Sequence, residues 1–211
     1  FPEALENSQS KLKSILNRLV EKGKINEEQF KSILARIHWT ENMDKISNSN
    51  MVIEAIVENL EIKQDLFLQM ESMVSDDCIL ATNTSSLSVA KIASVCKQKS
   101  RIIGIHFFNP VPLMKLVEII PTEEANGKLL LEVKSILKGW GKSVVTAKDT
   151  PGFIVNRIAR PYYGEALRIY EEGIADFATI DWAMKEFGGF RMGPFELMDY
   201  IGNDINYSAT K

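Results

Sequence analysis

At 211 residues and 45% hydrophobic side chains, the chain has the length of one domain or one and a half, with apolar content ample for a core. Its 25 lysines and arginines are mixed with 28 acidic residues and form no basic block, which argues against a dedicated nucleic-acid surface and leaves any anionic ligand to local sites. Two cysteines, Cys78 and Cys96, are too few, and too far from any metal-ligand spacing, for a zinc site or a disulfide framework. No apolar run is long enough to span a bilayer and no signal-like start is visible, so a cytoplasmic protein of a reducing compartment is expected.

Residues Pro2 to Lys22 place Leu5, Leu12, Ile15, Leu16 and Leu19 at helical spacing, with Gly23 as the stop. A second helix is expected from Asn26, where N-E-E-Q puts Gln29 in the capping-box position, to about Ala35. The lysines of this hairpin, including Lys11, Lys13 and Lys22, read as a solvated face. Ile37 to Thr40 then suggests a short strand. Met51 to Val57 suggests a buried one, followed by a helix over Leu60 to Val74, a strand over Ile79 to Asn83, a helix over Ser88 to Val95 and a strand over Ile102 to Phe108. Alternation of strand and helix implies a mostly parallel sheet of the α/β class. Lys115 to Ile120 adds a strand, Glu123 to Gly139 a helix and Ser143 to Ala147 the last strand. Beyond Pro151 the pattern becomes helical, over Phe153 to Glu172, Phe177 to Phe187 and Pro194 to Ile201, with Gly173, Gly188 and Gly202 as punctuation. The expected division is therefore 1–150, an α/β domain, and 151–211, the start of an all-α one.

Chemistry concentrates in GIHFFNPVPLMKLVEII, Gly104 to Ile120. His106 has the side chain whose proton affinity lies nearest neutrality, which suits a general base. Glu118, on the strand after the Pro110 and Pro112 turn, could accept the second imidazole N–H and fix its tautomer. Taken singly, other residues have plainer readings. Asn83-Thr84-Ser85-Ser86 is a helix cap at a strand end. Asn156 is a polar helix residue, Glu58 and Lys63 a cap and a solvated pair, and His38 structural.

Taken together, N-T-S-S, H-F-F-N-P-V, K-L-V-E and P-G-F-x-x-N-R, in order and at matching separations, closely resemble the 3-hydroxyacyl-CoA dehydrogenase family, which includes the 3-hydroxybutyryl-CoA and 3-hydroxyadipyl-CoA enzymes. The resemblance implies NAD-dependent oxidation of a (3S)-hydroxyacyl-CoA to the 3-ketoacyl-CoA, with His106 as base and Glu118 as its partner. It also implies that Ser85 and Asn156 hold the reacting oxygen. Glu58, Lys63, Ser85 and Asn109 match residues near the nicotinamide end of NAD. Lys22 becomes a candidate contact for the CoA 3′-phosphate, and no metal is implied. Gly193-Pro194-Phe195-Glu196 is a further match, read as helix initiation. ARPYYGEALR resembles the hydroxyadipyl-CoA branch, and the helical segment, with Ile154, Ile158, Tyr162, Leu167 and Tyr170, implies a homodimer face.

By the same resemblance the sheet is an incomplete Rossmann type. Its first two strands and the G-x-G-x-x-G turn that receives a pyrophosphate are not among these residues, so a fragment is expected, with Met51 to Val57 as an apolar edge and Ile37 to Thr40 without a neighbour. A noncatalytic binding or dimerisation module of the family is the alternative reading.

Overall fold

The computed structural model describes residues 2–203 and 207. The chain forms two compact units, 1–48 and 49–211.

In the first unit, helix α1 (Pro2–Glu21) ends where Gly23 takes φ +62° and donates its N–H to the Val20 carbonyl at 2.8 Å. Helix α2 (Glu27–Ala35) begins with the full capping box: Asn26 Oδ1 accepts the Gln29 N–H at 2.8 Å, and Gln29 Oε1 accepts the Asn26 N–H at 2.9 Å. The strand expected at Ile37 to Thr40 does not form. A strand exists only through its ladder, and none of the sheet's strands pairs with this stretch. The chain turns instead, with Thr40 Oγ1 accepting the Asn42 N–H and Asn42 capping a 3₁₀ turn over Met43–Ile46.

The second unit carries a five-stranded sheet in sequential order: β1 (Met51–Glu54), β2 (Ile79–Thr82), β3 (Ile102–Phe107), β4 (Leu116–Pro121) and β5 (Ser143–Thr146). The β1–β2, β2–β3 and β4–β5 pairs are parallel, while β3 and β4 run antiparallel. The class is the expected α/β one, with a mostly parallel, Rossmann-like sheet and β1 at its edge. Helices α3 (Leu60–Met73), α4 (Val89–Ala93) and α5 (Gly127–Gly139) follow β1, β2 and β4. After β5 come α6 (Val155–Glu171), α7 (Phe177–Glu186) and α8 (Pro194–Ile201).

The alternation of side chains along a strand sorts the core into two faces. Ile79, Ala81, Ile103, Ile105, Val117 and Ile119 meet Leu129, Val133 and Leu137, which recur every four residues along α5. A second cluster joins Ile120 to Val89 of α4, Ala147 and Phe153. His106 and Glu118 lie at the same parity as Gly104 and Ile120, so the period that builds the core also sets the imidazole and the carboxylate on one face. Cys78 and Cys96 are buried and unpaired, and burial pushes the Cys96 thiol up to about 11, with Glu71 adding to it.

Gly104 lets α4 lie on this face. A Cβ there would stand 2.8 Å from Val89 Cγ2 and 2.9 Å from Ile120 Cβ. Gly104→Ala should therefore lower stability by about 1–3 kcal/mol through overpacking. By contrast Gly164→Ala, in helix α6 with open space around it, should raise stability by up to roughly 1 kcal/mol. Urea unfolding midpoints of the two variants check both signs.

Candidate active site

Residues His106 and Glu118 are direct cross-strand partners in the antiparallel β3–β4 ladder. His106 Nδ1 lies 2.7 Å from Glu118 Oε2, and the Glu118 side chain has no solvent exposure. The other carboxylate oxygen, Oε1, accepts the backbone N–H groups of Ile154 at 3.0 Å and Val155 at 2.9 Å. Those donors open helix α6, whose N-cap residue Ile154 makes no side-chain cap of its own. One buried carboxylate thus holds the imidazole and substitutes for the missing cap. The turn that aims these N–H groups at it uses left-handed backbone at Gly152 (φ +73°) and Phe153 (φ +45°). Phe153 is kept there by burial against Val89, Ile120 and Ala147. Its ring and that of Phe108 flank the imidazole at centroid distances of 5.6 and 4.6 Å. With Nδ1 engaged, Nε2 is the ring nitrogen left for proton exchange.

The serine-rich loop after β2 is held by a second carboxylate. Glu58 Oε1 accepts Thr84 Oγ1–H at 2.6 Å, the Ser85 and Ser86 N–H groups at 2.9 and 3.1 Å, and Ser86 Oγ–H at 3.0 Å. Asn83 Oδ1 accepts the Phe107 N–H at 2.9 Å, tying this loop to the residue after His106. The Asn156 side-chain amide donates to the Ser85 carbonyl at 3.3 Å. A continuous chain of bonds therefore runs from His106 through Glu118, the start of α6 and Asn156 to Ser85 and Glu58.

Beneath it lies a feature that sequence reasoning missed. Lys63 is not part of a solvated pair: its side chain is 1% exposed, with Nζ 2.6 Å from Glu54 Oε1 and 3.3 Å from Glu58 Oε2. Glu54 is buried at the end of β1 and also accepts Thr82 Oγ1–H at 2.7 Å. The one signal for it was an acid inside the apolar run MVIEAIV with a lysine nine residues on. Asn109 is exposed in the turn after β3. Lys22 is exposed at the end of α1, in the first compact unit. Among the described residues, no group of three or more His, Cys, Asp or Glu is placed to hold a metal ion, and no helix is long and apolar enough to cross a membrane.

A family model for the NAD binding domain of 3-hydroxyacyl-CoA dehydrogenase matches residues 1–150, and one for the C-terminal domain of the same enzyme matches residues 152–211. The chain belongs to the 3-hydroxyacyl-CoA dehydrogenase family. It is 40% identical over 208 residues to the 3-hydroxyadipyl-CoA dehydrogenase of Escherichia coli K12, covering 99% of this chain and 44% of that protein. It is 40% identical over 203 residues to a probable 3-hydroxybutyryl-CoA dehydrogenase of Bacillus subtilis, covering 96% and 71%. A crystal structure of (S)-3-hydroxybutyryl-CoA dehydrogenase from Ralstonia eutropha superposes with a TM-score of 0.96 at 37% identity, covering 99% of this chain and 74% of that one. The chain thus spans less than half the length of the E. coli relative.

NAD is the cofactor of the domain this family model describes. Polar groups stand at the carboxyl ends of β1, β2 and β3, the edge at which ligands bind in sheets of this type. Glu58 keeps about a third of its side chain exposed (35%), and Ser85 and Asn109 stand at neighbouring strand ends.

Burial opposes the charge on Glu58, but hydrogen bonds from Thr84 and Ser85, the Lys63 ammonium and Ser86 outweigh it and hold the carboxyl below the usual glutamate range. A depressed folded value means that its contribution to stability is present above the ordinary range and is lost as pH falls through the folded one. Stability measured by urea between about pH 5 and pH 3 should therefore fall less steeply in Glu58→Gln than in the parent. Equal slopes would show that the loop does not depend on this charge.

Proposed function

We propose that the chain carries the catalytic part of an NAD-dependent 3-hydroxyacyl-CoA dehydrogenase, oxidising a (3S)-3-hydroxyacyl-CoA to the 3-ketoacyl-CoA. The supporting observation is the 2.7 Å contact between His106 Nδ1 and the fully buried Glu118. In this reading His106 Nε2 takes the substrate hydroxyl proton as the C3–H bond breaks, leaving the ketone. NAD, when bound, accepts the hydride. Glu118 keeps Nδ1–H in place and its negative charge stabilises the imidazolium that forms, while Ser85 and Asn156 position the reacting oxygen. Glu58 shapes the serine loop from below and offers its exposed edge to the cofactor, with Lys63 as its buried counter-charge and Asn109 as a further cofactor contact. Lys22 is proposed for the CoA 3′-phosphate.

The domain assignment is likewise proposed: an NAD-binding part over 1–150 and a helical substrate and dimerisation part over 151–211. The substrate is proposed to be short-chain, such as 3-hydroxybutyryl-CoA. The similarity to the E. coli protein makes 3-hydroxyadipyl-CoA the second reading. Ile154 and Ile158 are exposed at the start of α6 and would supply the homodimer face, while Leu167, nine residues beyond Ile158, lies on the opposite side of the helix. Of the other residues expected in that face, Tyr162 donates its hydroxyl to the Met192 carbonyl and Tyr170, which is exposed, stacks on Phe177. A cytoplasmic setting completes the proposal.

Calorimetric titration of the chain with acetoacetyl-CoA and, separately, NAD tests it, with saturable binding of both expected. Binding of acetoacetyl-CoA alone would make the chain a substrate-binding module. In a turnover assay, His106→Ala should lower kcat by roughly 10²–10⁴-fold with acetoacetyl-CoA affinity little changed. Loss of affinity in step with kcat would remove His106 from the role of base.

A further inference from the structure

The proposed machinery is divided between two segments far apart in sequence. Residues 83–90 hold the serine loop and the start of α4, and residues 148–156 hold the turn into α6. For Ser85 and Asn156 to act on one oxygen while Glu118 holds His106, these segments must keep a fixed spacing. The Asn156 to Ser85 bond, at 3.3 Å, is a weak tie for that purpose.

A stronger one stands beside it. Asp149 Oδ1 accepts the Val89 N–H at 3.0 Å, while Oδ2 accepts Ser88 Oγ–H and the Ala90 N–H, both at 2.8 Å. These three bonds to an anionic acceptor are of the strong, charge-assisted kind. They cross 59 to 61 positions of sequence and land three to five residues past Ser85. On the other side, Asp149 precedes the Gly152–Phe153 turn that presents the Ile154 and Val155 N–H groups to Glu118. Apolar packing reinforces the same junction, because Val89, bonded to Asp149 through its N–H, also packs in the cluster with Phe153 and Ile120.

We propose that Asp149 is a positioning residue for this site. Its carboxylate clamps the start of α4 to the approach to α6 and thereby sets the register between Ser85 and Asn156 and between Glu118 and the α6 N-terminus. The inference rests on the functional reading above for its consequence, though the clamp itself can be read without ligand.

The test uses Asp149→Ala and Asp149→Asn in the full chain. Three readouts apply: the amide signals of Ser85, Ile154 and Val155 by NMR, the side-chain NH₂ signal of Asn156, and calorimetric affinity for acetoacetyl-CoA. In Asp149→Ala all of these signals should move, amide exchange at Ile154 and Val155 should quicken, and affinity should fall roughly tenfold or more. Asp149→Asn keeps the shape but opposes one N–H with another, so its effects should lie between parent and alanine variant. It carries the test where the alanine variant does not fold. A lower unfolding midpoint with unchanged signals and unchanged affinity would overturn the proposal, reducing Asp149 to a cap of α4. Failure of the parent chain to bind acetoacetyl-CoA would instead defeat the functional reading, and the Asn156 and Ser85 signals would still decide the clamp.

Discussion

A carboxylate with no access to water is expensive to keep charged unless every oxygen is engaged, and Glu118 shows how the fold meets that demand. One oxygen takes the imidazole of His106; the other takes two N–H groups that a helix start would otherwise leave unsatisfied. The sheet supplies the first contact through the β3–β4 register, and the turn into α6 supplies the second. Neither is sufficient alone. The site therefore depends on α6 being docked against the sheet, which explains why left-handed backbone at Phe153 is tolerated: burying its ring holds the turn in place.

The same device recurs through the second unit. Glu58 accepts the successive N–H groups of Ser85 and Ser86, Glu71 those of Lys97 and Gln98, Asp149 those of Val89 and Ala90, and Asp181 those of Phe195 and Glu196. In each case an acid distant in sequence engages the N–H groups of a loop or helix start, and at α4 it adds to the local cap that Ser88 gives the Lys91 N–H. At α8 the geometry leaves no room for a side chain: a Cβ on Gly193 would lie 2.3 Å from Asp181 Oδ1. The glycine of Gly193-Pro194-Phe195-Glu196 admits the foreign carboxylate, and Pro194 fills the first helical position where no donor is needed.

These clamps bear on the chemistry through rigidity. Hydroxyl and amide groups that hold a reacting oxygen work only when their own positions are fixed, and loops lack the ladder bonds that fix strands. Here the serine loop is fixed from beneath by Glu58, itself set against the buried Lys63 and Glu54, and from the side by Asn156, while Asp149 holds Ser88 to Ala90 just beyond it. The buried ammonium lies between two carboxylates, so the charge in that layer is balanced locally except for one negative unit toward the exposed edge of Glu58.

Much of this protein was legible in its residues. Hydrophobic period distinguished strands from helices, and the order of motifs carried both the family and the His106–Glu118 pair, because a lone histidine facing a carboxylate across one turn is a local pattern. Helix ends with their own caps, such as Asn26 with Gln29, were legible for the same reason. The strand expected at Ile37 to Thr40 failed because a ladder needs a partner, which β-propensity cannot supply. The family resemblance singled out Lys63 while its charge by itself read as a surface residue; only folding brought Glu54 beside it and excluded water. Glu118's hold on α6 and Asp149's on α4 join residues dozens of positions apart, and a carboxylate's second oxygen has no sequence signature. Local pattern thus determined which groups the chain carries, while tertiary packing decided which of them meet, since spacing along a chain does not fix distance in space once helices intervene.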